Sequence, residues 1–277
     1  MAAFSIALVL MQGTFPGDVP GTEIGAGLPP GYEPSGAVWH SGRNQLLVVS
    51  DDGLVSAMNA DGSDVQHWTL PGDLEGITCA DPDSDVVYVG REHPDAVLEF
   101  DLSTSSLLRS FDLSATLTGP SNSGLEALTF VPIEGHPEGG VFHAGLQSDG
   151  RIYVFELPIV TSASSTAVTH LNTITPAPGL TDLSGLDFDR ATQTLYAIFD
   201  SANRMLAMDA AGGLLAQWSL LPGNDQEGIA LKGCELFVAE DVGPEVWVYE
   251  NFPDASGCHT LFVDTATLSI SAGGAQT

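Results

Sequence analysis

From Pro34 onward the chain is built of short stretches in which apolar and polar residues alternate, five to eight residues long and rich in Val, Leu, Ile, Phe, Tyr and Trp. Alternation with period two predicts half-buried strands, and continuous apolar runs of the same length predict strands buried on both faces. No segment carries a sustained apolar stripe at the 3.6-residue helical period, so an all-β protein is predicted. The stretches come in ordered sets. A first strand follows Pro34-Ser35-Gly36-Ala37-Val38-Trp39, Leu74-Glu75-Gly76-Ile77, Leu125-Glu126-Ala127-Leu128, Leu183-Ser184-Gly185-Leu186 and Gln226-Glu227-Gly228-Ile229. The five Ser or Glu positions are 40, 51, 58 and 43 residues apart.

A second strand ends at Asp51, Glu92, Gln147, Asp200 and Glu240 in turn, a third follows every time, and a fourth is readable in four of the five sets. A short constant core with variable spacing in this range describes the four-stranded blade of a propeller with loops of different length. Arranging five such units radially protects their edges, so a single closed five-bladed β-propeller with antiparallel blades is expected, with six blades as the alternative. The propeller is expected to span residues 1–264, leaving 265–277 as a tail or linker to a further module. The fifth set lacks its outer strand. The apolar run Phe4 to Met11 is expected to supply it and clasp the ring; His259 to Val263, directly following the fifth set, is the alternative.

Composition then narrows the partners. In 277 residues there are 7 basic and 36 acidic side chains, a net charge of −29, yet 43% of residues are hydrophobic and only 16% charged. Such a chain buries a core and is not of the disordered class. Its charge excludes a nucleic acid or an anionic membrane surface as partner. No apolar run is long enough to form a transmembrane helix. The Phe4 to Met11 run lacks the basic flank and small-residue cleavage site of a signal peptide. Acidity with one lysine suits a saline or extracellular setting, so a secreted or periplasmic location is expected. Cys79 stands alone; Cys234 and Cys258 are either a disulfide pair or, like Cys79, buried thiols.

If each repeated Ser or Glu opens an innermost strand, then Ser35, Glu75, Glu126, Ser184 and Glu227 form a ring at one axial rim. Three carboxylates converging there would repel one another unless they hold protons or a cation, and hard oxygen ligands suit Ca2+ first and Mg2+ second. Glu75, Glu126 and Glu227 are therefore the candidate metal ligands, with Ser35, Ser184, Asp51, Glu92, Asp200 and Glu240 as further rim candidates. The competing reading makes Glu-Gly or Ser-Gly a turn signature whose side chain caps backbone N–H groups of the neighbouring blade. The acidic residues two positions upstream, Glu33, Asp73, Asp182 and Asp225, read as turn formers. Asp81 to Glu92 superficially matches a calcium-binding loop, but Val86 replaces the glycine of its sharp turn and the segment reads as a strand. The motifs of serine hydrolases, zinc proteases and P-loop enzymes are absent, and of seven histidines only His93 is placed to reach the rim. Trp68 and Trp218 fall on equivalent outer strands and read as packing residues.

At these motifs the chain resembles the SdiA-regulated family of exported bacterial β-propeller proteins. The resemblance rests on the Ser, Glu, Glu, Ser, Glu order of the first strands and on Phe-Asp200-Ser and Ala-Glu240-Asp closing second strands, over about residues 30–250. It implies a periplasmic or secreted propeller with a bound divalent cation. A more distant similarity, in fold type only, links it to calcium-dependent lactonase propellers, whose asparagine ligands are not matched: Asn122, Asn203 and Asn224 lie off the repeated positions. The expected function is a ligand-binding or scaffold module for a small molecule, saccharide or protein. The alternative is a calcium-dependent hydrolase of lactones, esters or phosphoesters, with Glu92, Glu240 or His93 handling protons.

Overall fold

The computed structural model describes residues 12–13, 16, 21–223 and 225–252. In chain order its strands are β1 (Gln12–Gly13) and β2 (Thr22–Glu23), then β3 (Pro34–His40), β4 (Gln45–Ser50), β5 (Leu54–Met58) and β6 (Gln66–Thr69). They continue as β7 (Asp73–Thr78), β8 (Val86–Glu92), β9 (Ala96–Asp101) and β10 (Ser106–Asp112), and as β11 (Leu125–Pro132), β12 (Gly140–Leu146), β13 (Arg151–Glu156) and β14 (Thr169–Ile174). The last are β15 (Leu183–Asp189), β16 (Thr194–Phe199), β17 (Arg204–Met208), β18 (Leu214–Ser219), β19 (Gln226–Lys232), β20 (Glu235–Glu240) and β21 (Glu245–Tyr249). Each set of four consecutive strands from β3 to β18 is one antiparallel meander, and β19, β20 and β21 form a fifth sheet. The molecule is an all-β, five-bladed propeller.

The fifth blade takes its outer strand from the other end of the chain, as Thr22 and Glu23 of β2 pair with Val248 and Trp247 of β21. Ile24 N extends the pairing by donating to Val246 O at 2.8 Å. One step earlier, β1 lies parallel to β18 and adds a fifth strand to blade 4. The N-terminal segment thus runs along the outside of blade 4 and completes blade 5. Phe4 to Met11 and His259 to Val263, the two segments expected to fill that place, lie outside the described residues.

The innermost strands pack in a ring, β3 on β7, β7 on β11, β11 on β15, β15 on β19 and β19 on β3. Each blade buries an aliphatic and aromatic face against the next, the 3–4 interface for example through Val131, Ile152, Leu183, Phe188 and Leu206. Each such side chain contributes about 1.5–3 kcal/mol when fully buried. Trp68 and Trp218 pack between blades as the pattern predicts: Trp68 Nε1 donates to Leu102 O at 2.9 Å, and the Trp218 ring lies 5.1 Å from that of Phe252.

The structure gives the repeated glycine a different cause from the expected turn. Gly36, Gly76, Gly185 and Gly228 lie within strands, and none has a left-handed backbone. What they need is space. A Cβ on Gly36 would stand 2.0 Å from Glu75 O, and one on Gly76 2.2 Å from Leu128 N. Only hydrogen fits there, because five inner strands crowd one axis. Gly228 repeats this at the junction of the last blade with the first, its Cβ position being 2.9 Å from Ala37 N. Cys79 is a buried free thiol, and Cys234 is disulfide-bonded; Cys258, its expected partner, lies outside the described residues.

Candidate functional site

At the start of every innermost strand the ladder skips. Pairing passes from Pro34 to Gly36, from Leu74 to Ile77, from Leu125 to Ala127, from Leu183 to Gly185 and from Gln226 to Gly228. The residues left out of register include all five repeated ones, Ser35, Glu75, Glu126, Ser184 and Glu227. A bulge at this point re-aims the side chain of the extra residue. The second strands run back to the same end of the blades, with Ser50 opposite Pro34, Glu92 opposite Asp73 and Glu240 opposite Gln226. One face of the ring therefore gathers both sets of candidate residues.

The glutamates are linked there through the charge of Glu126, which acts on Glu75 and Glu227, but among the described residues neither Glu126 nor Glu227 joins a group of three ligand atoms within 4.8 Å. The Glu75 and Glu126 side chains are coupled, a proton on Glu75 favouring the charge on Glu126. Glu75 and Glu126 are buried. Burial, then the charges of Glu126 and Asp51, raise the Glu75 carboxyl well above its usual range. Burial, followed by the charges of Glu92, Asp51 and Asp73, lifts Glu126 to about 8 even though its coupling to Glu75 opposes the shift. Burial and the Glu126 charge lift Glu227 to about 9. Burial and mutual repulsion thus favour protons on this corner unless a cation neutralises it.

Beside Glu75 lies a tighter group. Carboxylate oxygens of Asp51, Asp73 and Glu75 all fall within 4.8 Å of one another. Burial is the main cause of the raised Asp51 pKa, and the charges of Asp73 and Glu33 add to it. Asp73, read from the sequence as a turn former, belongs to this group. Its signal was the acidic residue recurring two positions before the motif, but the recurrence covers two structural roles. Asp182 and Asp225 have left-handed backbones at φ 66 and φ 39 and fit the turn reading. Asp73 is instead the first residue of strand β7 and lies toward Glu75.

The second-strand residues divide differently. Glu92 Oε1 accepts a 2.6 Å bond from Gly124 N of the next blade, and its other oxygen lies 3.3 Å from His93 Nδ1. Asp200 Oδ1 accepts from Gln226 N at 2.8 Å, again one blade on. Gln147 joins blades through its backbone oxygen, which accepts from Asp182 N at 2.8 Å. Ser184 Oγ donates to Gln226 O at 2.6 Å, and Ser35 Oγ donates to Asp51. Glu240 is buried and, after burial itself, is the charge that holds the Tyr249 hydroxyl up at about 12. Backbone capping between blades therefore exists, but Glu92 and Asp200 perform it rather than the bulged glutamates. The Asp81 to Glu92 segment is a turn and strand β8, as expected, and not a calcium loop.

Below the bulges the axis is shut. The space lined by Gly36, Gly76, Ala127, Leu128, Gly185 and Gly228 has no room for a water molecule. The far mouth is crossed by Arg190, which reaches from blade 4 to blade 2 and donates to Cys79 O at 2.5 Å and Ala80 O at 2.9 Å. The carboxylate rim is consequently not the entrance of a through-channel.

Residues 163–244 match the SdiA-regulated family. That segment holds β14, strands β15 to β18 of blade 4, and β19 and β20 of blade 5, and so contains the Ser184, Asp200, Glu227 and Glu240 motifs. The match agrees with the resemblance drawn from the repeated motifs. A glutaminyl cyclase from Myxococcus xanthus is similar in fold, with a TM-score of 0.54 and 11% identity over 79% of this chain and 90% of that one. At that identity the likeness is one of fold alone. No curated protein matches in sequence. No helix among the described residues is long and apolar enough to cross a membrane.

Proposed function

We propose that the carboxylate rim binds one divalent cation, Ca2+ before Mg2+, and that the propeller serves as a ligand-binding or scaffold module outside the cytoplasm. The observation that carries this reading is the approach of Asp51, Asp73 and Glu75 to within 4.8 Å, on the flank of a buried Glu75–Glu126 pair. All donors are carboxylate oxygens, the set that hard cations prefer, and the cation replaces protons that burial otherwise imposes. Asp73 joins the three glutamates as a ligand in this proposal. A location outside the cytoplasm is supported by the disulfide at Cys234 and the acidic surface.

Binding is favoured over hydrolysis because the groups that would move protons are already engaged. Glu92 spends one oxygen on Gly124 N and faces His93 with the other, and Glu240 is buried. Calorimetric titration of Ca2+ into chelator-stripped protein tests the reading. One site per chain is expected, weakened at least tenfold in Asp73→Asn and Glu75→Gln and unchanged in Glu134→Gln, far from the rim. Absence of binding at millimolar Ca2+ overturns it. A screen of lactones, esters, phosphoesters and N-terminal glutaminyl peptides, the last prompted by the name of the structural neighbour, is expected to be blank. Turnover that disappears with chelation and in Glu227→Gln would make the protein a metal-dependent enzyme instead.

A further inference from the structure

His143 lies on β12 and faces blade 4, in an interface otherwise lined by apolar side chains, Phe188 and Phe199 among them. It is 3% exposed, and its Nδ1 is buried without a hydrogen-bond partner. A buried polar atom left unpaired costs about 1–3 kcal/mol, so its retention calls for a reason. The pairing register shows what the other blades do at this place. His143 lies opposite Thr129, as Leu47 lies opposite Val38, Tyr88 opposite Thr78, Tyr196 opposite Asp187 and Phe237 opposite Ala230. Four blades fill the position with a large apolar or phenolic side chain, and blade 3 alone puts a smaller imidazole there.

Beside that imidazole the structure has a cleft. Its volume is about 540 Å3, and His143, Val131, Val141, Val154, Ile174 and Phe188 are among the residues that line it. Its lips are Ile133 and Leu171, two of the exposed large hydrophobic residues of the molecule, on one side and Ala210 and Ala211 of blade 4 on the other. Glu134, Asn172 and Gln193 also line it, and a mainly apolar cavity of this size with a few polar groups has the make-up of a small-molecule site.

We propose that this cleft between blades 3 and 4 binds a neutral, mainly apolar molecule carrying a single hydroxyl, of the alkylphenol type, with the hydroxyl on His143. Tyr88 and Tyr196 show that a phenol ring packs at the corresponding level of two other interfaces. A hydroxyl pairs with imidazole in either tautomer, because it both donates and accepts. An anionic ligand would meet a chain of net charge −29, and the imidazole offers it no compensating charge, since burial holds His143 down at about 4. The site is remote from the carboxylate rim and stands independently of the cation.

The test uses 4-butylphenol and butylbenzene as probes on the full chain, with 15N-labelled histidine read by NMR. The phenol is expected to shift the His143 ring nitrogens saturably, and butylbenzene to bind at least tenfold more weakly. In His143→Phe, which restores the aromatic residue of other blades, that preference should vanish. In Ala211→Trp, which leaves the imidazole intact and blocks the mouth, the shift should be lost. No saturable His143 response up to the solubility limit of the phenol, equal affinity for the two probes, or an undiminished response in Ala211→Trp overturns the proposal.

Discussion

Glu126→Gln in chelated protein tests the electrostatics of the rim most directly. The folded carboxyl has its pKa raised from 4.5 to about 8, so the native state holds this proton more tightly than the unfolded chain does. Stability from that proton is complete below the unfolded value and is lost as pH rises through the folded one. Between pH 5 and pH 7 the loss covers about two units at ~1.4 kcal/mol each, or roughly 3 kcal/mol. For a domain of this size that is roughly 6–12 °C in Tm. Gln preserves the volume and the acceptor facing Glu75 but cannot ionise. Scanning calorimetry in chelator should therefore show wild-type Tm falling over this range and the variant falling distinctly less, Glu75 and Glu227 supplying the remaining slope. Calcium should reverse the order, because the cation needs the charge that protonation hides: the Ca2+-induced rise in Tm should grow with pH in the wild type and be smaller in Glu126→Gln. Parallel wild-type and variant curves in chelator would refute the argument, since Glu126 would then ionise freely in the fold.

Gly76→Ala puts a methyl group 2.2 Å from Leu128 N, and urea denaturation should register a loss of about 3 kcal/mol or more, or failure to fold. Glu92→Ala orphans the buried Gly124 N and should cost about 2 kcal/mol in the same assay, whereas Glu92→Gln retains an acceptor and should cost clearly less. Cys79 is buried, its thiol pushed up to about 12 by that burial, and should label with thiol reagents only as the protein unfolds. Arg190→Ala removes the side chain that covers its carbonyl, and labelling of the native state should become measurably faster.

The fold was readable in the sequence because a blade is a local object. Alternation at period two marks each strand, and the Ser or Glu of the first strand with the acidic or amide residue of the second marks the two ends of a hairpin, as in Ser35 with Asp51 and Ser184 with Asp200. Those features act over at most about twenty residues, so five blades, their order and the inner position of the Ser/Glu motif could be read from the chain alone. The character of the site was partly readable, since three glutamates at equivalent repeat positions had to face one axis. What the chain alone left open depends on contacts between blades 40 to 58 residues apart in sequence. Only the packed ring shows that the motif glycine answers to backbone crowding, as at Gly36 against Glu75 O, rather than to a turn. Only the ladder shows the bulge that turns Glu75 and Glu126 toward each other, because a one-residue skip is invisible in an alternating pattern. Asp73 and Asp182 look alike in sequence, yet one starts a strand beside Glu75 while the other adopts a left-handed turn and binds Ser201 N. His143 likewise has no local mark. Its meaning comes from the Tyr, Leu and Phe that occupy the same level in the other blades, an equivalence that strand register alone establishes.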